Sequence, residues 1–109
     1  MNRGEIWTAA GGASYARKPR PVLILQDDAY RETSSVAVCP LTTEQVGTSF
    51  FRPPLEPNQD NGLLAPSRVM VDKIAAVPRE VIGQRVGSVS AEDLRAVEVA
   101  VMTFLGMAR

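Results

Sequence analysis

The sequence predicts a mainly β fold, a small and strongly bent antiparallel sheet or open barrel with one helix at its C-terminal end. Short apolar segments alternate with turns rich in proline, glycine and asparagine along most of the chain. Apolar residues follow helical spacing clearly in a single segment near the C-terminus. Because 109 residues is the usual size of one compact unit, we expect a single domain over residues 1–109.

The strands are predicted from alternating polarity, from unbroken aliphatic runs and from the turn residues between them. They are Glu5 to Ala9, Pro21 to Gln26, Ser35 to Leu41, Thr48 to Leu55, Ser67 to Ala75 and Gln84 to Val89. A loop is expected between the first strand and about Pro19. Pro53-Pro54 places the fourth strand at an edge, because proline cannot donate to a ladder. Asn61-Gly62 predicts a short hairpin turn.

The helix is predicted from Ala91 to about Leu105. Ser90 is a good N-cap, and the acidic residues of the first turn suit the positive end of the helix dipole. The apolar face consists of Leu94, Val97, Val101, Phe104 and Leu105. Gly106 is expected to end the helix. Val99 and Met102 lie off that face, where they are either buried within the monomer or in contact with a second subunit.

Composition excludes several kinds of site. The chain has twelve basic and twelve acidic residues, so any binding of nucleic acid must use a local patch. It has no histidine and one cysteine, Cys39, which excludes a Ser-His-Asp triad and makes a zinc site improbable. We therefore expect no metal and no other cofactor. Cys39 lies in a strand-like run and is predicted to be a small buried hydrophobe.

Two further classes are not expected. Gly11-Gly12 is followed by a loop and not by a helix, so the sequence does not predict a nucleotide-binding glycine loop. No apolar run reaches membrane-spanning length and no secretory signal opens the chain, so we expect a cytoplasmic protein with no membrane partner.

The most informative local feature is Lys18-Pro19-Arg20-Pro21 directly before an aliphatic run. Prolines restrict the backbone on both sides of Arg20, and a guanidinium held in this way suits a phosphate or a carboxylate. Thr42 and Thr43 place hydroxyl groups at the end of the next predicted strand. Arg17, Lys18 and Arg20 together predict a surface that faces an anion.

Each of these residues also has a purely structural interpretation. Arg20 can form a surface ion pair with Asp27 or Asp28, which contributes little energy. Thr42 can cap a turn at the end of its strand. Trp7 is interpreted as a packed aromatic of the core or of an interface in preference to a surface that stacks on bases.

Four segments together resemble the MazF/PemK family of toxins from type II toxin–antitoxin modules. They are Arg3-Gly4-Glu5-Ile6-Trp7, the stretch from Lys18 to Asp28, Val38-Cys39-Pro40-Leu41-Thr42-Thr43, and the stretch from Ala65 to Ile74. The resemblance continues through the terminal helix and covers nearly the whole chain. The N-terminal R-G-E-I-W combined with R-P-V-L-I is fairly specific, whereas either motif alone is weak.

The resemblance implies an SH3-like antiparallel barrel of the CcdB/PemK type with a C-terminal helix. It implies a homodimer that cleaves single-stranded RNA at short sequences, and a cognate MazE-like antitoxin with an acidic disordered tail. By position, the family's catalytic pair corresponds to Arg20 and Thr42, with Thr43 able to take the place of Thr42. The residues predicted to contact RNA are Arg17, Lys18, Thr43, Asp72 and Lys73. Some members have an arginine where this chain has Met70.

The expected chemistry is attack of the RNA 2′-hydroxyl on its own phosphate, which leaves a 2′,3′-cyclic phosphate and a 5′-hydroxyl. Arg20 is expected to stabilise the charged phosphorane, and Thr42 to hydrogen-bond a phosphate oxygen or position the attacking group. Two other interpretations remain open. A CcdB-like toxin inhibits DNA gyrase without cleaving anything, and a generic SH3-like module only binds RNA or protein. Asp72 and Lys73 can also be an ordinary solvated strand end.

Overall fold

A curled antiparallel sheet with one helix packed against it forms the structure, a computed structural model that describes residues 1–11, 16–45 and 47–108. The elements are β1 (Glu5–Gly11), β2 (Ala16–Ile24), β3 (Ser35–Thr42), β4 (Pro54–Leu55), β5 (Ser67–Val69), β6 (Ala75–Pro78), β7 (Ile82–Ser88) and α1 (Ala91–Phe104). Short 3-10 turns occupy Asp28–Tyr30, Thr48–Phe51, Val71–Lys73 and Arg79–Val81. The strand order is β4-β5-β3-β2-β1-β7, with β6 also paired to β3.

Strand β3 gives the sheet its curl. One edge of β3 pairs with β2. The other edge pairs with β6 over Ser35–Val38 and then with β5 at Leu41 and Thr42. Because β5 and β6 leave the same edge at different points, the sheet bends around β3 into a half-barrel. The mainly β fold with one C-terminal helix is therefore confirmed.

Alternation along the strands gives the sheet two differently used faces. One face carries Ile6, Leu23, Cys39 and Leu41 into the main core, where Val97 of α1 packs. The other face carries a second set of buried residues, here called the outer-face cluster: Ala9, Val22, Ile24, Val36 and Val38. Trp7 packs against the outer-face cluster, as expected of a packed aromatic.

Cys39 is fully buried, as predicted. Burial raises the pKa of its thiol to about 12, and the negative charge of Asp72 acts in the same direction. The thiol is therefore neutral at ordinary pH, in keeping with a residue that packs and does not react.

The helix agrees with its prediction in its bounds and caps, but its apolar face is only partly buried: Val97 is fully buried, whereas Phe104 and Leu105 are 47% and 49% exposed and the off-face Val99 is 45% exposed. It spans Ala91–Phe104, and the Ser90 hydroxyl accepts a hydrogen bond from the backbone N–H of Asp93 at 3.0 Å. Gly106 follows the helix with φ of 76°, a conformation that glycine adopts without a steric penalty.

Several strand boundaries were predicted wrongly. Strand β2 begins at Ala16, where a loop was expected, because pairing with β1 continues through Pro21 and Arg20. The prolines are tolerated there since the described pairing of β2 with β3 starts only at Val22. The predicted strand Thr48 to Leu55 is a 3-10 turn followed by the two residues of β4, which does form an edge of the sheet.

The long strand expected from Ser67 to Ala75 is also divided, into β5 and β6 with the turn Val71–Lys73 between them. The short hairpin expected at Asn61-Gly62 is replaced by a loop over residues 56–66 that joins β4 to β5. The Asn61 side chain is fully buried and organises this loop, donating to the Glu56 carbonyl and accepting from the Leu63 N–H.

The same loop packs tightly on β7. The Ser88 N–H donates to the Asp60 carbonyl at 2.9 Å. A Cβ atom at Gly87 would clash with the carbonyl groups of Asp60 and Asn61, so this position requires glycine. The loop and β7 thus hold one end of the half-barrel together.

Candidate active site

The two predicted catalytic residues lie on adjacent strands in matching positions. Strands β2 and β3 pair with Val22 opposite Pro40 and Leu23 opposite Cys39. Extending this register by two residues brings Arg20 opposite Thr42. The recorded pairing ends at Val22, so this parity places Arg20 and Thr42 on the same face of two neighbouring strands, just beyond the paired residues.

Both residues line an open cleft of about 430 Å³. The cleft also contains Thr43 and Glu44 after β3, and Arg52, Met70 and Lys73 from the segments that pack around β5. Arg52 is paired with Asp72, so Arg20 and Lys73 are the cationic side chains that face the carboxylate of Glu44 across the cleft, and their net positive charge suits an anion.

The Arg20 side chain is exposed and makes no ion pair or hydrogen bond with another residue of the described ranges. The two carboxylates considered as its partners are engaged elsewhere. Asp27 accepts from the Ala29 N–H at 2.8 Å, and Asp28 accepts from the Arg3 N–H at 2.7 Å. The guanidinium donors of Arg20 therefore face the cleft without a protein carboxylate to occupy them.

The Thr42 hydroxyl caps the turn that follows β3, because its oxygen accepts from the Glu44 N–H at 3.1 Å. This capping also fixes the hydroxyl, which keeps its own proton for donation into the cleft. The structural and the catalytic interpretations of Thr42 are therefore compatible. Thr43 is exposed beside it at the same cleft.

Arg52 was not singled out by the sequence, and it forms the most ordered ion pair of the site. Its Nε and Nη2 atoms donate to the two carboxylate oxygens of Asp72, each at 2.9 Å. The side chains of Arg52 and Asp72 are 9% and 18% exposed. The hydrogen bond from Arg52 lowers the pKa of Asp72 below its usual value. The twenty-residue separation explains why no local pattern predicted this pair.

The remaining predicted contacts with RNA are placed differently. Lys73 is exposed and lines the cleft next to the turn that Asp72 anchors. Lys18 is exposed on β2, two residues before Arg20. The carboxylate of Asp72 is directed at Arg52, so any contact with RNA competes with that pair. Arg17 belongs to β2, but its side chain lies outside the described residues.

No group of three or more acidic, histidine or cysteine side chains that could hold a metal ion occurs within residues 1–11, 16–45 and 47–108. In the same ranges, no helix has both the length and the apolar character needed to cross a membrane.

Comparison with known proteins gives a consistent result. The model of the PemK-like, MazF-like toxins of type II toxin–antitoxin systems matches residues 2–105. A probable endoribonuclease MazF of Mycolicibacterium smegmatis is 43% identical over 108 residues, which cover 99% of each chain.

Solved structures show the same fold. The Mycobacterium tuberculosis toxin MazF-mt6 superposes with a TM-score of 0.80 at 28% identity, over 96% of this chain and 99% of that one. An endoribonuclease from a mycobacterial species, solved in complex with its cognate antitoxin, superposes with a TM-score of 0.79 at 23% identity, over 100% of this chain and 96% of the other.

Proposed function

This chain belongs to the PemK-like, MazF-like toxins of type II toxin–antitoxin systems, and from that premise we propose that it is an endoribonuclease that cleaves single-stranded RNA without a metal ion. The relative that is 43% identical to this chain is a probable endoribonuclease, and the identity extends over almost its whole length. The observation that carries the proposal is that Arg20 and Thr42 line one open cleft, where the Arg20 side chain is paired with no carboxylate of the described residues.

The proposed reaction is an in-line displacement at phosphorus. The 2′-oxygen forms a bond to the phosphorus as its proton leaves, and the bond from phosphorus to the 5′-oxygen breaks as that oxygen takes up a proton. The products are a 2′,3′-cyclic phosphate and a 5′-hydroxyl. Arg20 supplies a planar pair of N–H donors to the phosphorane oxygens, where negative charge develops.

Thr42 has a positioning role in this reaction. Its hydroxyl oxygen is held by the Glu44 N–H, so its proton is directed toward a phosphate oxygen at a nearly fixed position. The chain contains no histidine, and arginine stays protonated in proteins. A well-placed acid or base usually contributes about 10² to 10⁴ in rate, so we expect slow cleavage that depends on orientation and charge.

The test is cleavage of a long defined RNA by the purified protein in EDTA, with the new ends mapped chemically. We expect undiminished cleavage and 5′-hydroxyl ends. Arg20→Lys and Arg20→Ala should both lose most activity while remaining folded, because lysine cannot form a bidentate fork. Arg95→Lys, a change at an exposed arginine on α1, is the matched control. A strict need for Mg²⁺, 5′-phosphate ends or normal cleavage by Arg20→Lys would contradict the proposal.

The two binding-only interpretations are not favoured, because the family match covers residues 2–105 and a 43% identical relative is a probable endoribonuclease. We also propose that the protein is a homodimer and that it works in the cytoplasm. A MazE-like antitoxin would inhibit it by placing an acidic segment over the cleft that contains Arg20. Both RNA and such a segment would use the same cationic groups, so inhibition should weaken as salt rises.

A further inference from the structure

Two side chains, here called the turn clamp, hold the turn that follows β3: Gln45 and Arg68. The Nε2 atom of Gln45 donates to the Thr43 carbonyl at 3.3 Å and to the Pro66 carbonyl at 3.2 Å. The Oε1 atom of Gln45 accepts a hydrogen bond from Nε of Arg68 at 3.0 Å. The turn clamp therefore ties the end of β3 to the segment that leads into β5.

Arg68 is a rigid support for this arrangement. Its backbone lies in β5, opposite Thr42 of β3 on one side and opposite Pro54 of β4 on the other. Arg68 is half-buried, and its Nη1 atom donates to the Arg52 carbonyl at 3.0 Å. Because the sheet fixes its backbone and these bonds fix its guanidinium, Arg68 holds the side chain of Gln45 in one position.

The clamped peptide group is also the one that orients Thr42. The Thr42 hydroxyl accepts from the Glu44 N–H at 3.1 Å. The Thr43 carbonyl and the Glu44 N–H belong to one peptide unit, which is planar, with its C=O and N–H groups pointing in opposite directions. Gln45 thus holds one side of this plane and Thr42 is bonded to the other. If the carbonyl side is released, the plane can rotate and the Thr42 hydroxyl loses its fixed direction.

We propose that Gln45, supported by Arg68, is a positioning residue for cleavage, because it fixes the peptide that directs the Thr42 hydroxyl. Neither residue of the turn clamp is among the described residues that line the cleft, so the effect passes through Thr42 and not through contact with RNA. Reactions that depend on orientation are sensitive to small displacements of the groups that take part. This inference rests on the proposed nuclease function.

Gln45→Met tests the inference, because methionine has a similar length but lacks the N–H donors and the carbonyl acceptor. Gln45 is exposed, so the variant should fold normally. Gln84→Met, the same change at an exposed position of β7, is the control. We expect kcat of Gln45→Met to fall about 10-fold or more, since a displacement of about 1 Å can cost about 10²-fold. KM should be nearly unchanged, because the charges that bind RNA remain.

The same substitution in a Thr42→Val background shows whether Gln45 acts through Thr42. With no hydroxyl to direct, Gln45→Met should cause no further loss of the single-turnover cleavage rate, because two residues that act as a unit are not additive. An equal loss in both backgrounds would overturn the inference. So would a wild-type kcat in Gln45→Met, or a change confined to KM.

Hydrogen exchange of the Glu44 N–H, measured by NMR, separates this inference from the proposed function. Release of the peptide in Gln45→Met should open the bond to Thr42 and make this exchange about 10-fold faster, with the wild-type rate retained in Gln84→Met. A wild type that cleaves no RNA would refute the nuclease proposal, and faster exchange would still support the clamping of the turn. An unchanged exchange rate in Gln45→Met would overturn the inference whether or not RNA is cleaved.

Discussion

Asp72→Asn distinguishes a structural carboxylate from one that contacts RNA. The sequence pointed to RNA contact for Asp72, whereas in the structure both of its oxygens accept hydrogen bonds from Arg52 at 2.9 Å. The amide has the same shape but no charge, and it presents one acceptor where the carboxylate presents two. The substitution therefore leaves the guanidinium of Arg52, which is 9% exposed, without its counter-charge.

The expected cost follows from the geometry. The amide keeps one acceptor, so one of the two hydrogen bonds from Arg52 is lost, and a hydrogen bond to a charged group contributes about 1.5 to 3 kcal/mol. Removing one partner of a buried ion pair typically costs about 3 to 5 kcal/mol. The partial exposure of Asp72 favours the lower value, since water screens the pair. If the free energy of unfolding falls by about 1.5 kcal/mol per molar urea, a loss of about 3 kcal/mol lowers the urea midpoint by about 2 M.

Urea unfolding followed by the fluorescence of the single tryptophan measures this change. Glu80→Gln, a neutralised carboxylate at an exposed position, is the control and should leave the midpoint unchanged. The lowered pKa of Asp72 adds a pH signature. Its contribution is complete above the unfolded pKa of about 3.9 and is lost as pH falls through the folded value, so wild type and variant should converge in acid. An unchanged midpoint together with impaired cleavage would refute the structural assignment.

Two other predictions concern stability. The pKa of Cys39 is raised to about 12, so the stability contributed by its neutral thiol is complete below about pH 8.5 and should decrease as pH rises toward 12. In this range the free energy of unfolding of the wild type should fall by about 1.4 kcal/mol per pH unit from this group, and Cys39→Ala should lack that decrease in alkaline unfolding curves. Gly87→Ala should lower the free energy of unfolding by about 1 to 3 kcal/mol, since its Cβ meets the carbonyl groups of the 56–66 loop, and a wild-type urea midpoint would contradict the tight packing described there.

The parts of the fold that the sequence predicted are those in which local pattern and tertiary packing agree. The helix from Ala91 has a capping serine, an apolar face and a terminal glycine, and all three signals act within a few residues. Strand β3 was predicted nearly to its end because its apolar run is buried on both faces of the sheet. These elements needed no knowledge of distant partners.

The missed features depend on contacts between distant segments. Strand β2 extends back to Ala16 because β1 is available to pair with it, although the local residues resemble a loop. The turn at Val71–Lys73 interrupts a plausible strand at the point where Asp72 reaches Arg52, twenty residues away. Asn61 favours a turn by composition, but only its burial among carbonyl and N–H groups of its own loop determines which turn forms.

The common location of Arg20 and Thr42 was predictable because it depends on strand parity. On β2 and β3, Leu23, Cys39 and Leu41 face the core under α1, whereas Arg20 and Thr42 face the opposite side. On that side, Arg20 and Thr42 occupy the strand ends and the outer-face cluster occupies the strand centres. Substitutions on the core face should therefore impair folding first, and those at Arg20 or Thr42 should impair cleavage in a stable protein.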